Sequence, residues 1–128
     1  MTVLLLDLDH FKQVNDQYGH AAGDAVLRAT VEAWQAQLRG RDALGRVGGE
    51  EFAVVCAEAG LEQARAIAAR LLEATRLLRL PGIDRALRVS TSIGIAMAQP
   101  GDTRETLFAR ADAALYRAKQ QGRDRVEE

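Results

Sequence analysis

The apolar residues fall in two rhythms. Residues 3–8 are apolar at nearly every position and run into Asp7 and Asp9. A short run apolar on both faces predicts a strand covered on both sides. Residues 11–18 read as a short helical turn ended by Gly19. From residue 24 to 38, Val26, Leu27, Val31, Trp34 and Leu38 recur along one helical face. Residues 44–47 and 52–56 are short strands. Between them Gly48-Gly49-Glu50-Glu51 has the length and glycines of a hairpin turn.

The second half repeats the alternation. Leu61, Ala64, Ile67, Ala68, Leu71, Leu72 and Leu78 keep helical spacing until Leu80-Pro81-Gly82. Residues 87–98 form a predicted strand with Val89, Thr91, Ile93 and Ile95 on one face. Asp102 with Glu105 resembles a capping box at the start of a last helix. That helix runs to about Gln121, turns Leu107, Phe108, Ala111, Leu115 and Ala118 inward, and stops at Gly122. The order β-α-α-β-β-α-β-α, with a hairpin in its middle, predicts an α/β domain. Its central sheet is mixed, and helices pack on both faces.

Composition narrows the classes. The chain has 128 residues, 48% of them hydrophobic, which suits one domain with its own core. A net charge of −1 with 27% charged residues excludes a disordered tail or a globally basic nucleic-acid binder. The lone Cys56 lies in an apolar run and reads as a small buried hydrophobe. No signal peptide or membrane-length apolar run is present. The expectation is a cytoplasmic domain with neither nucleic acid nor membrane as partner.

The candidate chemistry begins with acids. Strand periodicity puts Asp7 and Asp9 on one face, where two carboxylates require solvent or a cation. Glu50 and Glu51 sit in the hairpin turn, beside glycines that leave room for a ligand. If the hairpin lies beside the first strand, Asp7 and Glu50 converge, and such oxygen donors suit Mg2+. Each acid alone also reads as an ordinary solubilising charge; the combination points to a site.

Three motifs then carry a resemblance. Gly48-Gly49-Glu50-Glu51-Phe52 resembles the signature of the GGDEF family, with Glu in the third place. Asp7-Leu8-Asp9-His10-Phe11-Lys12, Asn15-Asp16, Tyr18-Gly19-His20 and Gly23-Asp24 resemble its first strand and following loop. Ala113-Ala114-Leu115-Tyr116-Arg117-Ala118-Lys119 with Gly122-Arg123 resembles its closing motif. The three follow in the family's order along residues 3 to 126.

The resemblance implies a nucleotide-cyclase or polymerase-palm-like fold and a diguanylate cyclase. Two GTP-loaded copies would face each other and make cyclic di-GMP and pyrophosphate. Asp7, the Leu8 carbonyl and Glu50 would hold Mg2+, with Mn2+ as an alternative. Glu51 would assist, as an outer carboxylate or as a proton acceptor. Asn15 and Asp24 would read guanine, whose N1–H and N2–H2 suit a carboxylate and an amide. Their plainer reading is as turn and helix caps.

Phe11, Gly48 and Gly49 would line the substrate. Lys119 and Arg123, four apart and presented by one face of the last helix and its end, would bind the triphosphate; the plainer reading is favourable charge at a helix C-terminus. Arg39 and Asp42 form R-x-x-D, with five residues between Asp42 and Gly48, and resemble the family's inhibitory product site. Arg70 would be a further contact there. His20 resembles a structural histidine.

The family's usual helical segment ahead of the first strand, which helps wall the guanine pocket, has no counterpart in residues 1–128. A weakly active domain that binds GTP or cyclic di-GMP is therefore the alternative reading. A related two-metal nucleotide enzyme would explain the acids, but not Asn15 with Asp24 or Arg39 with Asp42.

Overall fold

The computed structural model describes residues 1–80 and 82–128. The elements are β1 (Thr2–Leu8), α1 (Phe11–Tyr18), α2 (His20–Gln35), β2 (Asp42–Gly48) and β3 (Glu51–Cys56). After them come α3 (Leu61–Arg76), β4 (Thr91–Met97), α4 (Arg104–Gln120) and β5 (Val126–Glu127). The strands form one sheet in the order β2-β3-β1-β4-β5. β1 is antiparallel to both β3 and β4, whereas β5 runs parallel to β4. The expected mixed sheet is present, and the unbroken apolar run of β1 occupies its centre, buried at every position.

Strand alternation divides the core into two layers. Leu4, Leu6, Phe52, Val54, Ile93 and Ile95 face Val26 and Trp34 of α2 and Ala64, Ile67, Ala68 and Leu71 of α3. Val3, Leu5, Ala53 and Ala96 face Leu107, Ala111 and Leu115 of α4. Trp34 is fully buried and keeps its polar edge satisfied by donating from Nε1 to Thr75 Oγ1 at 2.8 Å. Its ring meets Phe52 edge-on at 5.3 Å, joining α2 to β3. Cys56 is fully buried as expected, and burial pushes its thiol up to about 11.

Several boundaries differ from expectation. α2 starts at His20, because the small residues Ala21, Ala22 and Gly23 give its first turn no apolar rhythm. β4 starts at Thr91 rather than 87, since β1 ends at Leu8, the partner of Thr91. α4 is capped by Thr103, whose Oγ1 accepts from Thr106 N at 3.2 Å, not by Asp102 and Glu105. Asp102 is occupied by Gln99 N–H, the Thr106 hydroxyl and Arg110. α3 ends at Arg76, ahead of the expected stop, of which Pro81 lies outside the described residues. The two-residue β5 carries too little pattern to be read from sequence.

Close packing of α4 on the sheet depends on Gly94. A Cβ there would lie 2.2 Å from Leu115 N and 2.3 Å from the Ala111 carbonyl oxygen. Both belong to the α4 backbone, which has nowhere to go without lifting the whole helix. Gly94→Ala is therefore expected to cost about 3 kcal/mol, the upper range for overpacking a core. Urea unfolding measures this; an unchanged midpoint would show that α4 can ride further from the sheet.

Candidate functional site

The site lies at one edge of the sheet, where β1 ends and β3 and β4 begin. Asp7 is directly across from Glu51 in the β1–β3 register. Leu8 N–H reaches the Glu50 carbonyl at 3.4 Å, so the turn is fastened beside the strand end. Gly49 makes that turn with φ of 54°, a left-handed conformation open to glycine. A Cβ on Gly48 or Gly49 would meet nothing within 4 Å, so space is open above the turn. Arg46 braces it from below, donating from Nε to the Gly49 carbonyl at 2.8 Å.

The two strand-end aspartates have opposite environments. Asp9 accepts from Ser92 Oγ at 2.6 Å, Ser90 Oγ at 2.7 Å and Asp124 N at 2.9 Å. It needs neither solvent nor a cation, contrary to the expectation from sequence. Asp7 is buried but less well served. One oxygen pairs with Lys119 Nζ, and the other, Oδ1, is buried without a hydrogen-bond partner among the described residues. Burial pushes the Asp7 carboxyl above its ordinary value, the Lys119 bond and charge pull it back, and Glu50 and Asp9 raise it again. Glu51 is likewise raised, by burial first and then by Asp112 and Asp7.

Among the described residues no cluster of three or more His, Cys, Asp or Glu side chains could hold a metal ion alone. The donor set nonetheless fits Mg2+, which takes one or two carboxylates and completes its shell with water and phosphate. The orphaned Asp7 Oδ1, in a patch of mutually repelling carboxylates, is the atom that lacks a positive partner.

Asn15 and Asp24 come together through Gly23. A Cβ on Gly23 would lie 1.8 Å from Asn15 Oδ1, so the Asn15 side chain rests on that bare glycine, next to Asp24. Asp24 is exposed in the second turn of α2, not at its start. The helix-cap reading of Asp24 is thereby removed. Phe11 departs from expectation. Its ring is buried in the α2–α3 core layer, leaving its main chain at the start of α1 as what it can offer a ligand.

Lys119 lies in the last turn of α4, but Arg123 lies beyond the helix, with φ of 66°. The four-residue helical spacing therefore does not relate them. His20 is exposed at the first position of α2. Arg39, Asp42 and Arg70 line one depression of about 380 Å³. Arg39 N–H donates to Asp42 Oδ2 at 3.0 Å and closes the turn. This depression is at the far end of β2 from the hairpin, about 20 Å away at 3.3 Å per residue. Three contributors had little sequence signal: Gly23, Asp112 and Arg46. Asp112 precedes Lys119 by seven residues on α4, a two-turn spacing that could have flagged it.

The family model for the diguanylate cyclase GGDEF domain matches residues 1–125. The chain is 40% identical to diguanylate cyclase DgcP of Pseudomonas aeruginosa over 127 residues, covering 99% of this chain and 19% of that protein. Diguanylate cyclase SiaD of Pseudomonas aeruginosa, solved with its activator SiaC, superposes with a TM-score of 0.93 at 39% identity. That match covers 98% of this chain and 48% of SiaD. The active GGEEF domain of a Vibrio cholerae diguanylate cyclase superposes at 0.92 with 31% identity, over 98% of this chain and 80% of that one. The chain thus spans about a fifth of DgcP.

A raised carboxyl has a consequence for stability. The folded state holds the Asp7 proton more tightly than the unfolded state does. Stability is therefore lost as pH rises from the ordinary carboxylate range through the raised pKa. Asp7→Asn removes this penalty. In metal-free protein at pH 7 it should raise Tm by about 2–4 °C. The gain should shrink as pH falls through the raised pKa and wild-type Asp7 takes its proton. Calorimetric scans across pH check it; a lower Tm at pH 7 would mean that Lys119 more than compensates the buried charge.

Proposed function

Since this chain belongs to the GGDEF family of diguanylate cyclase domains, we propose that it condenses two GTP molecules into cyclic di-GMP. The observation that carries this reading is the convergence of Asp7, Glu50, Glu51 and Lys119 at one sheet edge, with an unsatisfied carboxylate oxygen among them. Asp7, the Leu8 carbonyl and Glu50 would hold Mg2+. Its chemistry there is to orient phosphates, acidify the 3'-hydroxyl and neutralise the departing pyrophosphate.

The chain's residues supply the rest. Lys119, paired with Asp7 when no nucleotide is present, turns to the triphosphate when one arrives, and Arg123 joins it. The open space over Gly48 and Gly49, together with the main chain at the start of α1, accommodates the phosphates. Asn15 and Asp24 accept and donate along the guanine edge; adenine offers no N1–H to the carboxylate.

Each copy of the domain holds one GTP, and two copies must face each other. The 3'-oxygen of one GTP forms a bond to the α-phosphorus of the other, and the bond to the pyrophosphate oxygen breaks. Glu51, across from Asp7, takes the hydroxyl proton. Two such attacks close the ring and release two pyrophosphates.

The depression around Arg39, Asp42 and Arg70 is the proposed product site. Its arginines suit phosphate and the guanine Hoogsteen edge, and its aspartate suits the guanine N–H donors. Because it lies at the opposite end of β2, product held there restrains the domain without occupying the catalytic edge.

Incubation with GTP and Mg2+, followed by mass spectrometry, tests the activity directly. Wild type should yield cyclic di-GMP. Glu50→Ala should lose turnover by at least about a hundredfold while melting normally, since a turn carboxylate contributes little to the core. GTP binding without product in wild type would leave only the binding-module reading.

Gly23→Ala tests base recognition. The colliding atoms are Oδ1 and Cγ at the end of the Asn15 side chain, with Phe11 Cζ at 3.2 Å, so the fold should survive while Asn15 swings away. Discrimination of GTP over ATP should fall about tenfold or more, the scale of a lost charged or paired hydrogen bond. Competition between the two nucleotides measures it. Unchanged selectivity would move base reading to Asp24 alone.

A further inference from the structure

Among the described residues three non-glycine residues adopt left-handed backbone conformations: His10 with φ of 55°, Arg123 with 66° and Asp124 with 49°. Such conformations persist where the surroundings over-determine them, and they concentrate at functional sites. Two of the three are next to Asp9 or bonded to it, and Arg123 directly precedes the bonded one. His10 follows it in sequence, and Asp124 donates its N–H to Asp9 Oδ2 at 2.9 Å. Asp9 in turn is fixed by Ser92 of β4 and by Ser90 just ahead of that strand, and is only 7% exposed.

The Arg123–Asp124 turn is gripped from the other side as well. Arg76 of α3 donates to Asp124 Oδ1 at 2.9 Å and to its carbonyl at 3.0 Å. Arg123 N–H donates to the Ala118 carbonyl at 2.9 Å, which ties the turn to α4. Beyond it the chain re-joins the sheet, where Ile93 N–H donates to the Arg125 carbonyl at 2.9 Å. Asp9 therefore holds the residue after Arg123 to the same strand that carries Asp7. Without that clasp, the turn would relax toward the ordinary right-handed or extended regions, and the Arg123 Cα–Cβ vector would rotate with it.

We infer that Asp9 is a positioning residue, which aims Arg123 at the triphosphate by clasping the backbone of Asp124 against the end of β1. This rests on the proposed role of Arg123 in binding phosphate. It assigns a duty to a carboxylate that touches neither substrate nor metal. It also explains why two aspartates two residues apart are both buried: one is left short of partners for the cation, and the other is fully used to hold the cationic side chain opposite.

A double-mutant cycle tests it, with 3'-deoxy-GTP and 3'-deoxy-GMP as probes in the presence of Mg2+. Neither probe carries the attacking hydroxyl, so binding is read without turnover. Arg123→Ala should weaken the triphosphate about tenfold and leave the monophosphate unchanged. Asp9→Asn should weaken the triphosphate about threefold in the wild-type background and not further in the Arg123→Ala background. Arg76→Gln, on a half-exposed side chain that grips Asp124 from α3, loosens the same turn and should behave alike. It carries the test if Asp9→Asn fails to fold. Equal losses in both backgrounds, or equal losses for both probes, would overturn the inference and leave Asp9 a structural residue. Full triphosphate affinity in Arg123→Ala would overturn the phosphate role of Arg123 and the inference with it.

Discussion

The burial of charge at the end of the central strand is the constraint on which the site depends. β1 has a neighbour on each edge and a helical layer on each face, so no residue on it has free access to water. Asp7 and Asp9 nevertheless sit on and just past its end, on the α4 side. A carboxylate in such a place must be neutralised, bonded or paired. The fold bonds Asp9 completely and pairs Asp7 incompletely. That inequality separates a rigid support from a reactive centre within three residues of chain.

The antiparallel sheet then brings distant parts of the sequence to that edge. Because β3 and β4 both run against β1, the hairpin acids and the serines that fix Asp9 arrive at the same end. The close seat of α4 over Gly94 brings Lys119 within reach of Asp7 and Asp112 within electrostatic range of Glu51. The same topology puts the Arg39–Asp42 turn at the other end of β2, so the acidic cluster and the depression around that turn are separated by a strand length of backbone.

Much of this was legible in the sequence, and the exceptions have physical reasons. Long periodic segments declared themselves, and so did the hairpin, because its glycines and acids interrupt two short apolar runs. Asp7, Glu50, Glu51 and Lys119 were legible as a set and do meet. Asp9 was misread, since its partners Ser90, Ser92 and Asp124 lie more than eighty residues away in sequence and are ordinary surface types. Phe11 was read as a substrate contact where its ring is a core residue; a motif fixes that a position matters, not whether through packing or contact. Gly122 marked the stop of α4 between Lys119 and Arg123, but the left-handed turn that follows it has no period that spacing could reveal. Gly23 left no signal beyond its place in a motif, as its role is to have no side chain under Asn15.

The unequal treatment of the two aspartates also bears on why the nucleotide-free site is not simply a mismatched core. A carboxylate with one oxygen orphaned costs stability, and natural proteins retain such costs where function needs them. Lys119 limits the cost without removing it. Its chain is long and its head partly exposed, so it can neutralise Asp7 and still leave at little penalty when phosphate competes for it. An arginine there would grip Asp7 through two oxygens and satisfy Oδ1, and the site would lose the vacancy that a hard cation requires. Under the proposed roles, a lysine at the end of α4 suits a side chain that must change partners, and an arginine in the clasped turn beyond it suits one that must hold its aim.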